Sequence, residues 1–159
     1  MPDRDLQRHE FFMDIALNQA ELALNKEEVP IGAVVVSPEG QVIGEGHNQR
    51  ETTSDPTAHA EILALREAGK RQGDWRLQDC SVYVTVEPCP MCAGALVNSR
   101  VEQLVFGVRD PKAGAVVSLM AISSAEDLNH QIKEVIEGVR RRKCKKLLRK
   151  FFQQLRSGR

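Results

Sequence analysis

Apolar positions along the chain follow two periods, and the switches between them mark the elements. Residues 5–25 repeat at helical spacing, with Leu6, Phe12, Ile15, Ala16, Gln19, Leu22 and Ala23 near one stripe, which predicts an amphipathic first helix. "IGAVVVS" (31–37) is a β-branched apolar run, and "QVIGEGH" (41–47) follows it across the turn-forming "PEG", so the pair predicts a hairpin. Asp55-Pro56-Thr57, a capping residue followed by proline at a permitted first-turn position, announces a helix over about 56–70 that stops near Gly69. "SVYVTV" (81–86) and "VEQLVFGV" (101–108) read as strands, separated by a helix from Pro90 to about Ser99. "RDPKAGAVVS" (109–118) reads as a loop, and "NHQIKEVIEG" is expected to hold a short last strand. From about 138 to 156, Val139, Leu147, Leu148, Phe151, Phe152 and Leu155 recur at roughly helical spacing among basic residues. Strands alternating with helices imply one α/β domain over 1–159, built around a largely parallel sheet that opens with an antiparallel hairpin.

The 159 residues suffice for one core and are short for two. No apolar run is long enough to span a membrane, and "MPDRDLQRHE" lacks the positive-then-apolar pattern of a secretory signal. Four cysteines in such a chain point to reduced thiols in a cytosolic setting, where paired cysteines more often bind metal than each other. The net charge of zero conceals an asymmetry. Residues 139–159 carry ten of the 22 basic side chains and no acidic ones, leaving 12 basic against 22 acidic elsewhere, a net of minus ten. An acidic body with one basic end suits a terminus that faces nucleic acid; a plain solvated helix face gives the same pattern.

"TAHAEILAL" (57–65) heads an apolar helix with a histidine and a carboxylate, His59 and Glu61. "EPCPMC" (87–92) follows a strand and opens a helix, placing Cys89 and Cys92 three residues apart on one face. The positive end of that helix favours thiolates, the state a metal ligand needs. A thioredoxin-like redox pair also begins a helix after a strand, but it gives His59 and Glu61 no role. With His59, Cys89 and Cys92 as zinc ligands, a structural site needs a fourth protein ligand and a catalytic one leaves that position to water. Cys80 is the obvious fourth candidate, yet about seven extended residues, roughly 20–23 Å, put it at the other end of the 81–86 strand. Cys144 reads as a small buried hydrophobe, and His9 and His130 as surface or capping residues. No spacing rule favours His47 as a ligand. The site therefore reads as open and catalytic, with Glu61 moving protons for a metal-activated water. That requires the helix to be just beginning, since i and i+2 point apart in a regular helix. The plainer reading of Glu61 is a first-turn acid that complements the helix dipole.

H-A-E followed by P-C-x-x-C resembles the zinc-dependent nucleoside and base deaminases of the cytidine/deoxycytidylate deaminase superfamily. "EVPIGAVVV", "GEGHN", "DPTAHAEILALR", "VTVEPCPMCAGALVNSRV" and "VFGVRDPKAGAVVSLM", over about residues 10–155, are similar to the bacterial tRNA adenosine deaminases. The resemblance implies a three-layer α/β/α cytidine deaminase-like sandwich with a mixed sheet of about five strands. It implies a cytoplasmic homodimer, with the site near the subunit interface and one zinc per subunit, that converts adenosine to inosine at wobble position 34 of a tRNA anticodon. His59, Cys89 and Cys92 would hold the zinc. Activated water would add to C6 of a flipped-out adenine while Glu61 protonates the departing amine. Asn48 would contact the flipped nucleotide, although as a sequence feature it also suits a left-handed turn. Val29 and Pro30 would wall the base pocket. Arg50, Asp110, Lys112, Phe151, Phe152 and Arg156 would meet the anticodon loop, with one of the two phenylalanines packing inward. His47 stands where some relatives have an aromatic residue. Two rivals remain: a deaminase of free guanine, and a noncatalytic RNA-binding zinc domain in which Glu61 or His47 completes the coordination shell.

Overall fold

The central strands carry apolar side chains on both faces, and this sets the layering. In the computed structural model, which describes residues 3–158, β1 (Gly32–Val36), β2 (Val42–His47), β3 (Ser81–Val86), β4 (Gln103–Val108) and β5 (Glu134–Glu137) form one sheet in the order β2-β1-β3-β4-β5. Ala33, Val35, Val82, Val84, Leu104 and Phe106 pack against Ala60, Ala64 and Ala68 of α3 (Ala60–Gln72) and against Ala93 and Leu96 of α4 (Pro90–Asn98). The alternate residues Val34, Val36, Tyr83 and Val105 pack against Phe12, Met13, Ala16 and Leu17 of α1 (Asp3–Asn25) and Cys144 of α5 (Arg141–Ser157). A sheet covered on both faces between helices is the three-layer α/β/α sandwich.

The sheet is mixed rather than largely parallel. β1 runs antiparallel to both β2 and β3, while β3–β4 and β4–β5 are parallel. The reason is the crossover through α3, which carries the chain over β1 so that β3 lands on the far side of β1 running with β2. The last strand forms where expected.

Two details of the helices differ from expectation. The buried stripe of α1 runs through His9, Phe12, Met13, Ala16, Leu17, Ala20, Ala23 and Leu24, while Leu6 and Leu22 lie exposed. His9 is therefore a core residue rather than a surface or capping one. Its Nδ1 lies 2.8 Å from the Tyr83 hydroxyl, so each satisfies the other inside an apolar layer. The second difference is the start of α3. Asp55 does not cap it; its Oδ1 accepts the Thr57 N–H (2.8 Å) and hydroxyl (2.7 Å), closing a local turn. The helix begins only at Ala60, with His59 in extended backbone as its N-cap. A short helix, α2 (Arg50–Thr53), precedes this turn.

The two cysteines outside "PCPMC" are structural. Cys80 is buried before β3, and burial pushes its thiol up to about 11. Cys144 is buried against Gly107, its thiol pushed up by burial to about 12.

Close approach of α3 to the sheet depends on Gly46, where a Cβ would collide with the Ala60 carbonyl and the Ala64 amide. Gly46→Ala must push back the first turn of α3. We expect a loss of about 1–3 kcal/mol in urea unfolding; an unchanged midpoint would show that the helix can retreat freely.

Candidate active site

Two helix N-termini meet beyond the ends of β2 and β3. His59 caps α3 with φ −80° and ψ 151°, and Cys89 caps α4 with φ −75° and ψ 176°, with Pro90 in the first turn. His59 Nδ1 lies 3.6 Å from Cys89 Sγ and 3.5 Å from Cys92 Sγ. Among the described residues, these three form the group of histidine, cysteine or acidic side chains whose ligand atoms lie close enough to hold a metal, all within 4.8 Å. The separations fit a zinc-sized ion: Zn–S near 2.3 Å and Zn–N near 2.0–2.1 Å at a tetrahedral angle give an N···S edge of roughly 3.6 Å.

The charges fit as well. The Cys89 thiol is lowered to about 4, first by the hydrogen bond from Cys92, with burial opposing and His59 assisting. Cys92 is shifted up by the Cys89 sulfur and by burial. His59 is raised by its hydrogen bond to Cys89. One thiolate thus holds off the ionisation of its neighbour, and a divalent cation at the shared centre would let both sulfurs ionise.

Glu61, in the first turn of α3, is 4% exposed and stands outside the ligand group. Burial pushes its carboxyl up to about 7; the Cys89 thiolate adds to this, while its own backbone amide and His59 oppose it. A cavity of about 200 Å³ reaches these groups, walled by Val29, Ile31, Asn48, Arg50, Asp110 and Ala113. That volume suits a single nucleobase better than a drug-sized ligand. The more voluminous hollows lie elsewhere, such as one of about 700 Å³ beside Trp75, away from the metal-ligand group.

Asn48 is 2% exposed and not left-handed. Its Nδ2 donates to the Val29 carbonyl (3.3 Å) and its Oδ1 accepts the Arg50 N–H (3.2 Å), so it ties the two sides of one rim together. Pro30 is buried but does not line the cavity. Lys112, Phe152 and Arg156 are exposed and lie outside it. Phe151 is 9% exposed and Phe152 44%, so one of the pair does pack inward. A base can stack on Phe152 but not on Phe151. His47 is buried and spoken for, with Nδ1 3.2 Å from Gln19 Oε1 and Nε2 3.2 Å from Lys26 Nζ, which removes it as a fourth ligand. His130 Nε2 donates to the Val101 carbonyl at 2.9 Å, a loop-capping role.

Sequence reasoning missed two buried acids. Glu28, 1% exposed, accepts the N–H groups of Glu51 (3.2 Å) and Thr52 (2.6 Å) and the Thr52 hydroxyl (2.7 Å), capping α2 from a distance. Glu87, 3% exposed, does the same for the loop after β4. The available signal was a carboxylate set directly against an apolar run, in "EEVPIGAVVV" and "VTVEPCP".

An α/β/α sandwich that joins a three-donor metal group to a buried carboxylate beneath a base-sized cavity has the parts that a deaminase of a nucleobase uses. Residues 7–156 match the family model of MafB19-like deaminase, and the chain belongs to that deaminase family. A tRNA-specific adenosine deaminase of Bacillus subtilis (strain 168) is 48% identical over 151 residues, spanning 95% of this chain and 92% of the relative. A structure solved in work on A-to-I editing by tRNA:A34 deaminases at the wobble position of transfer RNA aligns with a TM-score of 0.82 at 40% identity, covering 87% of this chain and 99% of that one. A guanine deaminase from Bacillus subtilis aligns with a TM-score of 0.60 at 41% identity, covering 64% of each chain.

Burial raises the pKa of Glu28, but the hydrogen bonds from Thr52 and Glu51 outweigh it and hold the carboxyl below its ordinary value. Its stabilisation is therefore complete above the unfolded pKa, about 4.3, and is lost as pH falls through the lower folded value. Glu28→Gln should cost about 1–3 kcal/mol at neutral pH and nothing below the folded pKa. Urea unfolding across pH 3–7 checks this; parallel curves for the two proteins would refute it.

Proposed function

We propose that this chain is a zinc enzyme that hydrolytically deaminates adenosine to inosine at the wobble position of a tRNA anticodon. One observation carries the reading: a cavity sized for one base ends on His59, Cys89 and Glu61, with Cys92 of the same ligand group buried behind them, while a helix on the same chain presents a basic face with no acidic partners. Arg141, Arg142, Lys145, Lys146, Arg149, Lys150 and Arg156 are exposed, and among the described residues none is in a salt bridge. Arg140 differs: it reaches back to Asp14 (3.0 Å) and Glu10 (3.3 Å) and anchors the helix to α1. A small diffusible substrate needs no such face; an RNA loop does, for phosphate neutralisation. The tRNA:A34 deaminase structure also matches more of this chain, 87% against 64% for the guanine deaminase.

His59, Cys89 and Cys92 hold the zinc, which when bound supplies the Lewis acidity that activates water near neutral pH. Asn48 and Val29 hold the flipped nucleotide, and Arg50, exposed at the cavity's rim, meets the anticodon loop. Glu61 takes a proton from the attacking water as oxygen bonds to C6 and returns it to the amine as the C6–N bond breaks, so that adenosine and water give inosine and ammonia. The cavity wall keeps other water out. Asp110, Lys112, Phe152 and Arg156 face the anticodon loop. The enzyme works in the cytoplasm as a homodimer; the exposed apolar side chains of Val117, Leu119 and Met120 support a second copy covering this edge. Sedimentation should give twice the 17.7 kDa chain mass, and a monomer at micromolar concentration would remove the dimer.

The decisive experiment offers the protein an anticodon stem-loop, free guanine and free adenosine, and measures ammonia and inosine. Inosine should form in the stem-loop alone, and stem-loop binding should weaken steeply with salt; ammonia from guanine with none from RNA would overturn the substrate. Glu61→Gln should fold and keep one zinc per chain while losing about 10²–10⁴-fold in rate. Loss of zinc together with the fold would instead make Glu61 a ligand of a noncatalytic domain.

A further inference from the structure

Glu87 opens the "EPCPMC" stretch, but it is not in the metal-ligand group. Although it borders the cavity, both of its oxygens are taken up by the 110–118 loop. Oε1 accepts the Asp110 N–H (3.0 Å) and the Ser118 hydroxyl. Oε2 accepts the N–H groups of Val116 (3.1 Å), Val117 (2.8 Å) and Ser118 (2.9 Å). The backbone repeats the tie on either side, with the Glu87 N–H donating to the Val108 carbonyl (2.8 Å) and the Ala115 N–H to the Pro88 carbonyl (2.9 Å). Gly114 closes the cradle, since a Cβ there would collide with the Glu87 carboxyl group. Five donors thus converge on the two oxygens of one buried carboxyl group, which is occupied as an acceptor rather than free to carry a proton.

Tying down the Asp110 backbone has a consequence for the pocket. The Asp110 side chain accepts the N–H groups of Lys112 (3.0 Å) and Ala113 (3.2 Å), and its carbonyl accepts that of Gly114 (2.8 Å). The turn that sets Asp110 and Ala113 against the cavity therefore hangs from Glu87, one residue from Pro88 and two from Cys89. The metal motif and the outer wall of the pocket thus share one anchoring segment, Glu87 and Pro88.

We propose that Glu87 is a positioning residue: it fixes the Asp110–Ser118 loop as the outer wall of the base pocket and thereby sets affinity for the RNA rather than the rate of bond cleavage. This rests on the reading of the substrate as an RNA loop. The variant Glu87→Gln keeps one accepting oxygen, but its amide nitrogen must face at least one backbone N–H, which loses its partner. The zinc-loaded protein should keep full metal content. Amide hydrogen exchange should quicken about tenfold or more across 110–118 and stay unchanged across 93–98. KM for the anticodon stem-loop should rise about tenfold, the loss of roughly one buried hydrogen bond, with kcat within about threefold. Gly114→Ala, which displaces the same carboxylate while leaving its chemistry intact, should give the same split. Ser118→Ala, which removes one donor, should give a smaller change in the same direction.

Unchanged exchange in the loop would overturn the proposal. So would a fall in kcat at constant KM, or loss of the metal in both Glu87→Gln and Gly114→Ala, since either would make Glu87 a support of the metal site alone. If the wild-type protein leaves the stem-loop untouched, the substrate assignment fails, and the exchange measurement still decides whether Glu87 holds the loop.

Discussion

His59 lies in extended backbone as the N-cap of α3, just after the turn in which Asp55 accepts the amide and hydroxyl of Thr57. α3 starts only at Ala60, and the site depends on that late start. Had the helix begun at Pro56, His59 and Glu61 would sit two helical residues apart, about 200° around the axis, and could not serve one centre. With the helix starting between them, the imidazole reaches Cys89 and Cys92 from the cap position while the carboxylate comes in from the first turn. α4 repeats the device with Cys89 as its cap and Cys92 in its first turn. Both helices direct their positive ends toward the group of His59, Cys89 and Cys92, which favours the thiolate form that a metal requires.

Around that centre two buried carboxylates hold neighbouring segments of the rim by hydrogen bonds. Glu28 gathers the amides of α2 and holds the Asn48–Arg50 side against Val29. Glu87 gathers the amides of the 110–118 loop and holds the opposite side against Pro88. A loop in irregular backbone has several orphan N–H groups, and one buried anion satisfies them together more economically than separate partners could. The rims gain rigidity from the same anions, and a cavity for one flat base needs rigid walls.

The charge asymmetry has a structural counterpart. Arg140 and Lys143 face α1 through Asp14 and Glu10, which seats α5 on the sandwich. The remaining basic groups of α5 point to solvent, with Phe152 exposed among them and Phe151 turned inward. One helix thus joins an apolar inner face to a cationic outer one.

Much of this was legible in the residues alone. The β-branched runs marked the central strands, because a strand buried on both faces is nearly all apolar, and its one buried threonine here, Thr85, is satisfied by the Gly32 N–H. "HAE" and "PCPMC" named the chemistry through the donor types that a thiophilic divalent ion selects. Other features escaped because they are not local. The antiparallel pairing of β1 with β3 follows from which side of β1 the α3 crossover lands on. The burial of His9 depends on meeting Tyr83, 74 residues away. The roles of Glu28 and Glu87 depend on amides more than 20 residues distant, supplied by segments whose own sequence says only that they are loops. The sequence by itself determined which atoms could bind a metal and carry a proton, since that is a property of side-chain type. Only the tertiary structure decided that His59, Cys89 and Cys92 share one centre and that Glu61 stays outside it, because helix starts, crossovers and buried hydrogen bonds are settled by packing across the whole chain.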